Sequence, residues 1–440
     1  MSKICVIGTG YVGLVSGACL ADFGHNVACV DIDAARVALL DDGEMPIYEP
    51  GLKDVVARNV GAGRLAFSTA VGEMVAAAEV AFIAVGTPSL PDGSTDLSYV
   101  TGAAESLARH LSSYTVIVQK STAPVGTARR LHDVIAAAAP AGAEFDVVSN
   151  PEFLREGSAI EDFMRPNRVV IGVESERARE MMRRIYRPLY LLETPIVSTN
   201  LETAEMIKYA SNAFLAAKIS FINEIAAICE RVGANVDDVA RGMGLDGRIG
   251  AKFLHAGIGY GGSCLPKDVS SLLHTASEHG HEAALVRAAH AINAAQVDRA
   301  LAKLAAATGG VKGKTVALLG LSFKPNTDDL REAPSLAFVE RLLGAGAQIK
   351  AFDPIAMDNF RRTPYGAKVE YCKNAYDAAD SCDAVVLMTE WNEFRELDFD
   401  RLLRLMKGRV FIDCRNVYKP ERMRALGLVY DSFGRGQQAG

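Results

Sequence analysis

A chain of 440 residues, 49% of them hydrophobic, is long enough for two or three domains, each with its own core. The formal charge of −6, without any long Lys/Arg block, excludes capture of nucleic acid by bulk electrostatics and points to a small-molecule partner. The eight cysteines form no CxxC pair and no zinc spacing, which argues against a disulfide framework and a metal site.

The chain opens Met1-Ser2-Lys3 and runs straight into an apolar strand, without the pattern of a secretory signal. No apolar run approaches the ~20 residues that cross a bilayer. A cytoplasmic protein with no membrane partner is expected.

Short β-branched runs then alternate with alanine-rich helical stretches: KICVIG, VACVDID, EVAFIAVGTP, YTVIVQKST, FDVVSNPE and RVVIGV. This is the βαβ rhythm of a doubly wound parallel sheet, an α/β fold. Gly8, Gly10 and Gly13 form GxGxxG directly after the first strand and before a helix, and Asp31 ends the next strand. Glycines there permit the tight turn, the approach of a pyrophosphate and close helix packing, while the helix N-terminus favours phosphate. Asp31 suits the ribose hydroxyls of NAD and would repel a 2′-phosphate, with Arg36 nearby as a counterweight.

Ser121, Thr122, Glu152 and Glu156 fall in loops at the carboxyl edge of this sheet, where open α/β folds bind ligands. A carboxylate there suits general-base work; Glu152 equally suits a helix start after Pro151.

From Leu201 to about Ala300 the strand signals stop, and LETAEMIKYASNAFLAAKISFINEIAAICERV predicts one long helix. Lys208 and Asn212, at i and i+4, share a face and together suit an oxyanion; a lysine snorkelling from a helix face is the plainer alternative.

Cys264 lies in GYGGSCLPKD, where glycines allow close backbone approach and Pro266 suits a helix start. A thiol at a helix N-terminus beside Lys267 is disposed to ionise, and Asp268 stands one turn on to orient a water or a lysine. The local features fit a loop cysteine without a role equally well. With an NAD site in the same chain, the thiol gains meaning. Oxidation beyond an aldehyde requires a tetrahedral adduct, and a cysteine thiohemiacetal is one. The other cysteines sit in apolar company and read as packing residues.

After Gly309 the rhythm resumes with KTVALLGL, AQIKAFDP, CDAVVLMTEW and RVFIDCRN, echoing the first half. Its first turn has only Gly320, so a second dinucleotide is not expected; Lys324 suits a phosphate or an ordinary surface position. The domains expected are 1–200, 201–300 and 301–440, with a disordered polar tail from Ser432.

Together GTGYVGLVSGACLADFGHNV, PIYEPGL, AVGTP, KSTAPVGT, NPEFLREGSAI, KYASNAFLAAKISFINE, GYGGSCLPKD and SFKPNTDDLREAPS resemble the UDP-glucose/GDP-mannose dehydrogenase family, and its UDP-glucose 6-dehydrogenase branch most. The resemblance spans nearly the whole chain. It implies two Rossmann-like doubly wound domains joined by a long central helix and a helical middle domain, a homodimer, and four-electron oxidation of UDP-glucose to UDP-glucuronate with NAD.

By the same resemblance Cys264 is the nucleophile, Lys208 and Asn212 stabilise the oxyanion, Asp268 supports proton transfer, and Thr122 and Glu152 handle the hydrolytic water. Tyr11, Val12, Arg36, Thr87 and Thr122 join the glycines and Asp31 at NAD, with Glu156 and Arg331 at its nicotinamide end. Phe153, Leu154, Phe253, Gly261 and Lys324 hold the UDP-sugar along with Glu152, Lys208 and Asn212. Arg248 reaches a neighbouring subunit's site, and Arg415 the sugar end.

Three alternatives remain open on the sequence. One is a relative acting on GDP-mannose or a UDP-N-acetylhexosamine. A β-hydroxyacid dehydrogenase would leave Cys264 and the second α/β domain without a purpose. An NAD-binding regulator would use Cys264 as a redox switch.

Overall fold

The computed structural model describes residues 1–435. The chain divides into two units, Met1–Ser211 with Ser270–Gly280, and Asn212–Val269 with His281–Gly440.

The first unit is built on an eight-stranded sheet: β1 Lys3–Ile7, β2 Asn26–Val30, β3 Leu65–Ser68, β4 Val80–Ile83, β5 Thr115–Gln119, β6 Phe145–Ser149, β7 Val169–Gly172 and β8 Ile196–Thr199. The order is β3-β2-β1-β4-β5-β6-β7-β8. Strands β1 to β6 are mutually parallel, whereas β7 meets β6 antiparallel through Ser149 and Gly172. β4 and β5 are buried along their whole length, as expected where helices cover both faces of a sheet. The order in which strands are added reverses at β1 and β4, the sheet growing outward from β1 to β3 on one side and from β4 to β6 on the other, which opens a crevice at the carboxyl ends of these two parallel strands.

The second unit repeats the plan. β9 Thr315–Leu319, β10 Gln348–Phe352, β11 Glu370–Tyr371, β12 Ala384–Leu387, β13 Val410–Asp413 and β14 Val429–Ser432 pair in the order β11-β10-β9-β12-β13-β14, all parallel. Relative to β9, this is the order of the first six strands relative to β1. Strands β3, β8, β11 and β14 carry no clear signal in the sequence because each lies at an end of its sheet and is only partly buried, so no continuous apolar run marks it.

The helix Leu201–Val232 covers 32 residues, as its periodicity predicts. Over an 18-residue window its mean hydropathy is 1.3. By length and composition it therefore meets the requirement for a membrane span, contrary to the expectation that no segment does. Its Glu205, Lys208 and Asn212 are buried and bonded within the protein, the setting of a core helix.

The expected disorder from Ser432 is corrected as far as Arg435. Ser432 ends β14, and the buried Arg435 guanidinium donates to Tyr418 O at 2.6 Å and Tyr430 Oη at 3.0 Å. Composition hid this because a single buried arginine anchors an otherwise polar segment. Residues 436–440 lie outside the described residues.

Candidate active site

At the carboxyl end of β1 the glycines have distinct tasks. Gly8 has φ +100°, and a Cβ there would lie 2.7 Å from Ala84 O. A Cβ on Gly13 would stand 1.9 Å from Gly8 O, so helix Tyr11–Asp22 packs on the turn only without one. A Cβ on Gly10 would meet nothing within 4 Å. That open space lies at a helix start without a side-chain cap, where Tyr11 and Val12 begin the helix. Such a cradle fits the pyrophosphate of a dinucleotide.

Asp31 follows β2 and faces the same turn. Its Oδ2 accepts from Thr9 N and Thr9 Oγ1, both at 2.7 Å, and its Oδ1 from Asp33 N at 3.0 Å. Burial pushes its carboxyl up, but these bonds and Arg36, 3.6 Å away, prevail and hold it below the usual carboxylate range. An ionised acceptor at this place matches a ribose diol.

The equivalent aspartate of the second unit is differently used. Asp353, which follows β10, is fully buried. Its Oδ2 accepts from Leu321 N at 2.7 Å, Ser322 N at 3.1 Å, Ser322 Oγ at 3.2 Å and Trp391 Nε1 at 3.1 Å. Its Oδ1 accepts from Ile355 N at 2.9 Å and Ala356 N at 2.8 Å. The carboxylate is saturated by its own fold.

Glu49, in PIYEPGL, is a residue the sequence reading overlooks. Its buried carboxylate accepts from Tyr11 Oη, from Gly157 N at 2.6 Å and from Ala159 N at 2.7 Å. It thereby joins the cofactor-side helix to the loop bearing Glu156. Burial, then the bond to Glu49, pushes the Tyr11 phenol far up, so it remains a donor.

The loop after β5 is tied to the loop after β4: Thr87 Oγ1 donates to Thr122 O at 2.8 Å and Ser121 Oγ to Val85 O at 2.7 Å. Past β6, Glu152 Oε1 receives Lys208 Nζ at 3.1 Å, with both side chains almost wholly shielded from solvent. The other carboxylate oxygen accepts from Leu154 N. Phe153 lies between two cations, its centroid 3.4 Å from Arg168 Cζ and 5.4 Å from Lys208 Nζ.

Lys120, also overlooked, is buried beside them. Its Nζ donates to Asn150 Oδ1 at 3.1 Å. Burial pulls its pKa down to about 8, opposed by Glu152 and reinforced by Lys208. A lysine directly after the largely apolar strand TVIVQ was the available signal.

In the second unit Cys264 occupies the residue before helix Leu265–Glu278. Its carbonyl accepts from Asp268 N at 2.9 Å, and Ser263 Oγ lies 3.6 Å from its Sγ. It is partly exposed, whereas the other seven cysteines are buried. Burial pushes those thiols up, that of Cys372 to about 11 and those of Cys5, Cys19 and Cys382 to about 12. A helix N-terminus favours a thiolate. Asp268 is buried and takes a donor on each oxygen, Asn212 Nδ2 at 2.6 Å and Lys267 Nζ at 2.7 Å. It thus orients an amide and a lysine, of the two partners expected for it the lysine.

The cysteine loop rests on the turns after β9. Gly262 N donates to Arg331 O at 2.9 Å, and a Cβ on Gly261 would come within 2.2 Å of Glu332 O. Lys324 follows Phe323, whose ring would touch any Cβ on Gly262 at 2.7 Å. The Arg331 guanidinium pairs with Asp329 at 2.9 Å. Arg415 donates to Gly259 O at 3.1 Å, Phe323 O at 2.8 Å and Met388 O at 2.8 Å, so it braces this loop cluster. Phe253 holds φ +67°. Arg248 stands apart, its side chain 89% exposed and paired with its near neighbour Asp246 at 2.6 Å.

Each unit therefore gathers a coherent group: the glycine cradle, Asp31, Thr122, Glu152 and Lys208 in the first, and Cys264, Asn212, Asp268, Gly261, Lys324 and Arg415 in the second.

Comparison with known proteins gives the same picture. Residues 2–190, 202–295 and 317–420 match the NAD binding, central and UDP binding domains of the UDP-glucose/GDP-mannose dehydrogenase family. The chain is 54% identical to a UDP-glucose 6-dehydrogenase of Rhizobium meliloti (strain 1021), over 98% of this chain and 99% of that one. Among solved structures, a UDP-glucose dehydrogenase from Pyrobaculum islandicum superposes with TM-score 0.91 at 39% identity, covering 96% of each chain. A UDP-D-ManNAc dehydrogenase from Pyrococcus horikoshii gives 0.86 at 28%, covering 98% of this chain and 99% of that one. With an NAD binding domain, a UDP binding domain and a helical centre in this order, the chain belongs to the UDP-glucose/GDP-mannose dehydrogenase family.

Proposed function

We propose that this chain is a UDP-glucose 6-dehydrogenase, which oxidises C6 of UDP-glucose through the aldehyde to the carboxylate of UDP-glucuronate. The full-length match at 54% identity carries the choice of sugar; the single part-exposed thiol at a helix start supports the covalent route.

Gly8, Gly10, Gly13, Tyr11 and Val12 hold the pyrophosphate, and Asp31 and Arg36 the adenosine ribose. Thr87, Thr122, Glu156 and Arg331 serve the nicotinamide half. NAD, when bound, accepts the hydride of each oxidation. The chain's own groups do the rest. A water or carboxylate base takes the C6 hydroxyl proton, and the Lys208 ammonium and the Asn212 amide donate to the oxygen as its charge develops. Cys264 adds to the aldehyde carbon, giving the thiohemiacetal from which the second hydride departs. The resulting thioester is opened by a water held by Thr122 and Glu152, while Asp268 keeps Asn212 and Lys267 in place.

Phe153, Leu154, Phe253, Gly261 and Lys324 take the UDP-sugar, with Arg415 toward the sugar end. In this reading residues 1–200 form the NAD domain, 201–300 the dimerisation domain and 301–440 the UDP-sugar domain. A homodimer is supported by Phe214, Phe221 and Ile228, exposed apolar residues seven apart on one helix; Arg248 reaches from it into the neighbouring site. The location is cytoplasmic.

The test follows NADH absorbance with UDP-glucose, UDP-N-acetylglucosamine, UDP-galactose and GDP-mannose, each titrated to completion. Two NADH per UDP-glucose and little from the rest is the expected result. Preferential turnover of GDP-mannose or the N-acetyl sugar reassigns the substrate, and no NADH from any sugar leaves a nucleotide-binding regulator.

A further inference from the structure

Glu205 stands three residues before Lys208 on the same helix and therefore shares its face. It is 3% exposed. Its Oε2 accepts from Gly126 N at 2.6 Å and its Oε1 from Ala128 N at 2.8 Å. These amides open helix Thr127–Ala138, whose cap residue Gly126 has no side chain to offer. A carboxylate complements the partial positive charge at such a start. The segment so anchored is the turn that continues from Thr122.

Between this clasp and Lys208 lies a cavity of about 10 Å³, lined by Gln119, Thr122, Pro151, Glu205 and Lys208 among others. That is room for about one water molecule. Gln119 brings to it a buried Oε1 without a hydrogen-bond partner among the described residues, and a water would satisfy that acceptor. Burial raises the Glu205 carboxyl to about 7, against the pull of the two amides and Gln119 and with a push from Glu202. None of this is needed to fold a helix start, where a serine or aspartate suffices.

We propose that Glu205 is a positioning residue for the hydrolytic half of the reaction: it clamps the Thr122 turn to the helix face that carries Lys208 and, with Gln119, seats the water that Thr122 presents for thioester hydrolysis. The proposal rests on the function proposed above. In that step the water oxygen bonds to the acyl carbon and the carbon–sulfur bond breaks. One water proton restores the Cys264 thiol, and the other leaves with the carboxyl group and is lost on its ionisation.

The test uses the full chain with saturating NAD and UDP-glucose. Glu205→Gln keeps the shape but turns an NH₂ toward one of the two amides. The expected variant forms both NADH equivalents in its first turnover at the wild-type rate, then turns over about tenfold more slowly or worse. Intact-mass analysis finds the UDP-sugar acyl group on Cys264, KM for UDP-glucose stays within about twofold, and hydroxylamine restores turnover. Wild-type turnover, or slow turnover without the adduct, overturns the assignment. If the wild-type enzyme itself makes no NADH from UDP-glucose, the proposed function fails instead. Should Glu205→Gln not fold, Gln119→Met removes the unpartnered acceptor at nearly equal volume; the adduct is again expected, and its absence overturns the proposal.

Discussion

Lys208 Nζ lies 3.1 Å from Glu152 Oε1, in a pair whose side chains are only 4% and 5% exposed. Two charges so buried depend on each other: removing one leaves the other without compensation, at a cost of about 3–5 kcal/mol. Lys208→Met is expected to lose stability of that order in denaturant unfolding and to lower kcat about 10²- to 10³-fold. Adding Glu152→Gln should return most of the stability and none of the activity. A single variant as stable as wild type would show that the pair is not a buried salt bridge in solution.

Asp31 is ionised and bonded to Thr9 on the lip of the cradle. Replacing it with serine removes charge-assisted bonds, each worth about 1.5–3 kcal/mol. Asp31→Ser should raise KM for NAD about tenfold or more with kcat little changed, and should narrow the preference for NAD over NADP. Unaltered discrimination in steady-state kinetics would place the ribose elsewhere.

Thiol chemistry separates Cys264 from its companions. A brief exposure of native protein to iodoacetamide should label Cys264 alone, as seen by peptide mass mapping, because the other seven are buried and disfavoured as thiolates. Labelling should track loss of NADH production one for one. Equal labelling of several cysteines would count against the helix-start thiolate.

Lys120 offers a pH signature. Its folded pKa of about 8 lies below the ordinary 10.5. Between these values the unfolded chain binds a proton that the folded chain lacks, so stability rises with pH across the window. The gain is lost again as pH falls through about 8. Against Lys120→Met, wild-type unfolding free energy should therefore climb by roughly 3 kcal/mol from pH 8 to 10.5. A constant difference would mean that the buried amine keeps its proton.

The parts legible in the sequence are those fixed by local rules. GxGxxG followed by Asp31, the period of helix Leu201–Val232 and the glycines before Cys264 each announce themselves within a few residues. Glu49, Lys120 and Glu205 do not. Each is an ordinary charged residue whose meaning comes from burial against a distant segment, 108 positions away for the bond from Gly157 to Glu49 and 79 for that from Gly126 to Glu205. The Asp268 pairing with Asn212 is hidden for the same reason, since it spans 56 positions. Strands β3 and β11 escaped because LAFS and EY lie at sheet ends and are partly exposed, without the continuous apolar run that marks a central strand such as VAFI.

The saturated carboxylate of Asp353 has a kinetic consequence. A fold copied twice along the chain has kept one socket for a dinucleotide and closed the other from within, so an enzyme that must remove two hydrides from each sugar has one place to deliver them. The half-oxidised sugar has to wait while that socket is emptied and refilled. A loosely held aldehyde would escape during the wait. In the mechanism proposed above, a sulfur–carbon bond to Cys264 would make the delay harmless, and the thiol would then act as a mooring between two visits of the same carrier as well as an acyl acceptor.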